Sequence, residues 1–130
     1  MEQRHLGRTG LRVCRIGLGT LTWGRDTDEH EARDQLIAFA EAGGSFLDTA
    51  AGYGDGASEK LVAEAIARRR EQIFLVTKIL PSNATSKKKI VAACENSLRR
   101  LRVEHVDLYL LHWRSGENLP VVVETFHELV

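Results

Sequence analysis

The chain has 130 residues, room for one ordinary domain, and its 18 lysines and arginines balance its 18 aspartates and glutamates. Without a basic excess, nucleic acid and anionic membrane surfaces are excluded as expected partners, and small neutral molecules fit better. Met1-Glu2-Gln3-Arg4-His5 has no apolar signal core, and no run approaches the ~18 apolar residues of a membrane span, so a cytoplasmic protein is expected. Cys14 and Cys94 lack CxxC spacing and are expected as reduced, partly buried thiols, and no metal site is expected.

In chain order, His5-Leu6 and Leu11-Arg12-Val13-Cys14 flank the glycine-bounded turn Gly7-Arg8-Thr9-Gly10, a short hairpin. Ile16-Gly17-Leu18-Gly19-Thr20 reads as a strand. Its glycines, with Gly24, are not spaced as a GxGxxG dinucleotide turn. A helix follows from about Asp28, capped by Thr27 or Asp28, with Ala32, Leu36 and Phe39 at helical spacing, and Gly43-Gly44 ends it. Phe46-Leu47-Asp48 is the next strand, after which Gly52 and Gly54 let the backbone bend around Tyr53.

Ser58 is the expected N-cap of a second helix with Leu61, Val62, Ala65 and Ile66 on one face. Arg68-Arg69-Arg70 reads as the solvated, dipole-complementing end of that helix. Ile73 to Lys78 forms a third strand, Asn83-Ala84-Thr85 is a turn, and Ser86 opens a helix striped by Ile90, Cys94, Leu98 and Leu101. Val106 to His112 is an almost unbroken apolar strand, of a kind that suits cover on both faces. Asn118 and Pro120 start a fourth helix.

Strand and helix alternate four times at intervals of about 30 residues, the rhythm of a parallel sheet with right-handed crossovers. An open flavodoxin-like or Rossmann sheet would close comfortably in this length. A (β/α)8 barrel, typically ~250 residues, would be only half present. The site chemistry favours the barrel, where functional groups gather at the C-terminal ends of several strands, because Thr20, Asp48, Lys78 and His112 end four consecutive ones. The fold class expected is therefore α/β, a partial (β/α)8 TIM-barrel type of about four βα units after a short hairpin.

Gly17-Leu18-Gly19-Thr20, Asp48-Thr49-Ala50, Gly52-Tyr53-Gly54, Ser58-Glu59, Thr77-Lys78 and Asp107-Leu108-Tyr109-Leu110-Leu111-His112-Trp113, in this order and spacing, resemble the aldo-keto reductases. The resemblance covers nearly the whole chain, so residues 1–130 are expected to form a single partial domain of that family. It implies NADPH-dependent reduction of aldehydes or ketones, with the catalytic tetrad on Asp48, Tyr53, Lys78 and His112. It further implies Gly19, Thr20 and Asp48 near NADP(H), and Trp23, Tyr53, His112 and Trp113 near the carbonyl substrate. Ala63 and Arg114 depart from the family's usual glycine and proline. The part of the family that clamps the nicotinamide, pyrophosphate and 2′-phosphate has no counterpart in these residues.

The chemistry can be argued without the name. Hydride addition to a carbonyl creates an alkoxide that needs a proton, and a free phenol, with a pKa of ~10, donates poorly near neutrality unless a cation favours its ionised form. Lys78 is that cation, Asp48 orients it, and a neutral His112 can polarise the carbonyl oxygen. Taken singly, Asp48 could be a loop cap, Lys78 a surface partner for it, His112 a satisfied histidine and Tyr109 a packing residue. His5, His30, His105 and His127 receive no role. Two other functions stay open. One is a catalytically silent half-barrel that assembles with a partner or self-associates through exposed sheet edges; the other is a barrel enzyme using Lys78 as a Schiff-base nucleophile.

Overall fold

A computed structural model describes residues 1–115 and 119–130. The hairpin forms as expected from β1 (Gln3–His5) and β2 (Arg12–Cys14), antiparallel, with Gly7 and Gly10 at positive φ in its turn. The strands β3 (Gly17–Gly19), β4 (Phe46–Asp48), β5 (Phe74–Ile79) and β6 (Leu108–Leu111) then make one parallel sheet in the order β3-β4-β5-β6. That order never reverses, so the sheet has no switch point of the doubly wound kind, and each strand is followed by a helix as in a barrel wall.

The helices are α1 (Glu29–Glu41), α2 (Ala57–Ile66), α3 (Lys87–Leu101) and α4 (Leu119–Leu129). Asp28 caps α1 in a reciprocal capping box with Glu31, and Ser86 caps α3 by accepting from Lys89 N. The start of α2 differs from the expectation. Its N-cap is Gly56, in the left-handed region at φ +90°, because Gly54 (φ 58°) and Asp55 (φ 51°) carry the chain round a tight turn first; Ser58 lies inside the helix and is buried. Gly52, expected to ease the same bend, keeps an ordinary right-handed conformation. The expected cap Asn118 lies outside the described residues, while Pro120 sits at the second position of α4.

Strand parity divides the sheet's two faces. Leu47, Leu75 and Ile79 point at the helices, Leu47 and Leu75 into a core with Leu36, Val62, Ile66 and Leu101, and Ile79 into a second with Ile90 and Val122. Burial of this order contributes roughly 1.5–3 kcal/mol per large aliphatic side chain, so the outer face carries most of the fold's stability. The opposite face presents Phe46, Asp48, Phe74, Val76, Lys78, Leu108 and Leu110, of which Val76 alone is fully buried. The described helices thus cover one face of the sheet, which gives the curved half-wall of a barrel. β3 and β6 are its edges, each paired to one neighbour among the described strands. No described helix is long and apolar enough to cross a membrane.

The arginine run also departs from expectation. Arg70 is not a solvated helix end: it donates to Ile73 O (2.7 Å), His105 O (3.0 Å) and the Asp107 carboxylate (3.0 Å), stitching the start of β5 to the start of β6. Both thiols are free, Cys14 buried and Cys94 half-buried.

Candidate active site

Parallel register places the titratable strand ends together. Asp48 is level with Val76, so Lys78 stands one inward-facing position further along β5, and both project from the face the helices leave bare. The chain leaves β4 through Thr49, Ala50 and Ala51, whose backbone is tied to β5 by Thr49 N to Val76 O (2.9 Å) and Ala51 N to Lys78 O (3.2 Å), and then turns through Tyr53. His112 follows β6 directly, its backbone N donating to Ile79 O at 2.9 Å. Asp48, Tyr53, Lys78 and His112 therefore converge, although 64 positions (112 − 48) separate the first from the last.

An ammonium has three donors and no acceptor, and Lys78 has a partner for each. Its Nζ lies 2.8 and 2.9 Å from the Asp48 carboxylate oxygens, 2.8 Å from Thr49 O and 3.3 Å from Tyr53 Oη. The same Nζ stands 4.9 Å from the centroid of the Tyr53 ring. Because Nζ donates to the phenol oxygen, the phenol's own hydrogen is left for another acceptor. Held in this way, Lys78 has no free lone pair, and the geometry disfavours a Schiff-base role.

The His112 ring meets the Tyr53 ring edge-on, centroids 5.6 Å apart, and the Trp113 ring tilts against His112 at 4.9 Å. Burial first, and then the Lys78 charge, hold the His112 imidazole below its ordinary pKa, with Asp48 pulling weakly the other way. The ring is thus neutral at physiological pH. Its Nδ1 is buried without a hydrogen-bond partner among the described residues. Trp113 is 55% exposed and forms an open aromatic wall beside the site.

Two residues expected beside the ligands, Trp23 and Thr20, are buried. Trp23 is fully buried and donates its indole N–H to Gln35 at 2.8 Å, so it belongs to the core and not to the open face. Thr20 is also fully buried. Its N–H and hydroxyl both donate to Asp48 O (3.0 and 3.1 Å) and its carbonyl lies 2.8 Å from Ser58 Oγ, so it ties β3 to β4 and α2 and keeps no open donor. Gly19 remains accessible at the end of β3, where a Cβ would meet nothing within 4 Å. Tyr109, one residue out of phase with Lys78, faces the helices and stacks on Phe126 at 5.1 Å. Burial pushes its phenol well above the ordinary range.

The sequence reading assigned no role to Glu59 and Arg100. Glu59 has no exposed surface, yet its carboxylate accepts from Thr77 Oγ1 and from Arg100 Nε, both at 2.6 Å. The signal was present: Glu59, Val62, Ala63 and Ile66 fall at i, i+3, i+4 and i+7, so an acid lies on the buried stripe of α2. Among the described residues no group of three or more histidines, cysteines, aspartates and glutamates could hold a metal ion.

A model of the aldo/keto reductase family matches residues 15–130. A methylglyoxal reductase, YeaE, of Escherichia coli (strain K12) is 39% identical over 132 residues, which cover all of this chain and 46% of that protein. A crystal structure of an aldo-keto reductase from Klebsiella pneumoniae in complex with NADPH is 40% identical and superposes with a TM-score of 0.84 over 92% of this chain and 42% of that one. The holo form of an aldo-keto reductase from Bacillus halodurans gives a TM-score of 0.89 at 34% identity, over 99% of this chain and 46% of its own. The chain thus spans a little under half the length of these relatives, which are (β/α)8 barrels, and its four strand–helix units correspond to part of such a barrel.

Proposed function

This chain belongs to the aldo/keto reductase family, and on that premise we propose that residues 1–130, as one partial domain, carry the proton-donating part of an NADPH-dependent reductase of aldehydes or ketones. Tyr53 gives a proton to the carbonyl oxygen as the carbon accepts a hydride, and the product is an alcohol. The observation that supports this most directly is the bonding of Lys78, whose ammonium faces the Tyr53 oxygen at 3.3 Å while Asp48 and Thr49 O fix its position. Proton loss leaves a phenolate beside that ammonium. The attraction between them favours the transfer, and general-acid catalysis contributes about 10²–10⁴-fold.

Neutral His112 donates a hydrogen bond to the carbonyl oxygen, and Trp113 covers the substrate from the open side. Gly19 and Asp48 suit the nicotinamide end of the cofactor, since Gly19 lets a ligand approach the backbone and the Asp48 side chain keeps 32% of its surface exposed. The bound cofactor would supply the hydride. The cofactor's phosphates need other groups: every Lys78 donor is engaged, so the cation of the site cannot serve them. A chain of these 130 residues alone is accordingly expected to bind NADPH weakly.

One observation favours a second reading, an assembly module. The two sheet edges and the bare inner face, with Leu110, Trp113, Leu21 and Ile16 exposed beside them, form a surface that further barrel units or a second copy would cover. A chain of residues 1–130 that sediments as a compact monomer without binding a hydrophobic dye would refute that reading.

The reductase is tested by Tyr53→Phe in the full-length protein carrying this chain. Carbonyl-dependent NADPH oxidation should fall about 10³-fold while NADPH affinity stays nearly unchanged, because only the proton donor is lost. Retention of most of the wild-type rate would defeat the assignment.

A further inference from the structure

We propose that the first turn of α2 is the positioning device for Lys78: Ser58 and Glu59, with Arg100 completing the network from α3, determine where the ammonium sits. The inference rests on the roles of Lys78 and Tyr53 given above. It concerns residues that touch neither of the atoms that exchange the proton.

A fully buried carboxylate needs partners, since the effective cost of removing an ion from water is several kcal/mol. Glu59 has two, on different elements: Thr77 of β5 through Oε1 and Arg100 of α3 through Oε2. Arg100 is steadied in turn by Ser97 Oγ at 3.3 Å, and its stem crosses the backbone of Gly56, where a Cβ would lie 2.8 Å from Arg100 Cδ and 3.0 Å from Nε. Gly56 also stands at φ +90°, so this crossing needs glycine twice over.

A buried ion pair is weak evidence for stability, because well-packed apolar residues often do as well in its place. What the pair reaches is more informative. Thr77 is the backbone neighbour of Lys78, on the opposite face of β5, so a carboxylate that pins the Thr77 side chain fixes the origin of the Lys78 side chain. The adjacent helix residue acts on the other end. Ser58 Oγ lies 3.1 Å from Thr49 Oγ1 and 2.8 Å from both Thr20 O and Thr20 Oγ1. Thr49 O is one of the acceptors that hold Nζ, and Asp48 is the residue before it. Consecutive residues of one helical turn therefore fasten the strand that bears the lysine and the strand end that receives its ammonium. All five of Thr20, Thr49, Ser58, Glu59 and Thr77 are buried, which shields the network from water. Catalytic geometry is sensitive at this scale, where a misplacement of about 1 Å costs roughly 10²-fold.

The test compares Thr77→Val, which keeps the branched shape and removes the hydroxyl bound by Glu59, with Thr77→Ser, which keeps the hydroxyl. Both are made in the full-length protein, alongside Glu59→Gln. Two readouts are taken: steady-state kinetics, and competitive acetylation of Lys78 by trace acetic anhydride, scored by mass spectrometry against exposed Lys60 in the same sample. Thr77→Val should lower kcat by about 10²-fold with little change in KM and raise the Lys78 to Lys60 labelling ratio several-fold, and Thr77→Ser should restore both. Should Glu59→Gln fail to fold, the Thr77 pair still decides. A Thr77→Val protein whose kcat and labelling ratio match the wild type, with only its melting temperature lowered, would overturn the proposal. Absence of carbonyl reduction by the wild type would defeat the reductase reading instead, and the labelling ratio alone would then judge the positioning.

Discussion

At the ends of β4 and β5 every donor of Lys78 has an acceptor, whereas beside β6 the polar atoms His112 Nδ1 and Tyr109 Oη are buried without a partner among the described residues. The first region is held by hydrogen bonds among Asp48, Thr49, Tyr53 and Lys78 and braced from beneath by Ser58 and Glu59. The second is held by the backbone bond of His112 to Ile79 and by ring packing against Tyr53, Trp113 and Phe126. The contrast teaches that the Tyr53 phenol and the Lys78 ammonium are organised by contacts among the described residues. The imidazole beside them is placed by packing and keeps a buried Nδ1 without a partner among the described residues.

The largest effect that would sharpen the contrast is Lys78→Met. It removes the charge facing the Tyr53 oxygen and strands the Asp48 carboxylate, so kcat/KM for carbonyl reduction should fall about 10³-fold. A near-wild-type rate would mean that the β4–β5 network is structural only. Tyr109→Phe should do the opposite. Tyr109 faces the helices, so activity is expected to stay at the wild-type level, while removing an unpartnered buried hydroxyl should leave thermal stability unchanged or raise it by about 1 kcal/mol. A dead Tyr109→Phe beside an active Lys78→Met would show that the wrong tyrosine had been placed at the chemistry.

The smallest effect concerns pH. His112 is held below the ordinary histidine value of about 6.5, so as pH falls the unfolded chain takes up a proton before the folded one does. The stability gained from keeping the ring neutral is therefore complete above about pH 6.5 and is lost as pH drops through the lower folded value. Between pH 7 and pH 5 the melting temperature should decline less in His112→Gln than in the wild type. Identical slopes would show that the ring titrates as freely folded as unfolded.

Much of the site could be read from the sequence because Asp48, Lys78 and His112 each close an apolar run, and the parallel register then fixes which of them share a face. Tyr53 was legible through Gly54, whose positive φ the turn requires. The misreadings have a common cause. Ser58 has the composition of a cap and Arg70 of a solvated end, yet each is satisfied by groups distant in sequence that local pattern does not reveal. Glu59 is the clearest case: its partner Arg100 stands 41 positions away on another helix. Trp23 needed only Gln35, 12 positions on, to become a core residue.

Tyr53 and Lys78 are proposed to act as one unit, and a double-mutant cycle on the full-length protein is the direct test. NADPH-dependent carbonyl reduction would be measured for Tyr53→Phe, Lys78→Met and the double variant. If the ammonium works through the phenol, the double variant should be no slower than the slower single one, because the second substitution removes something already lost. Losses that multiply, so that the double variant falls by the product of the two single effects, would show that the residues contribute independently and would contradict the account.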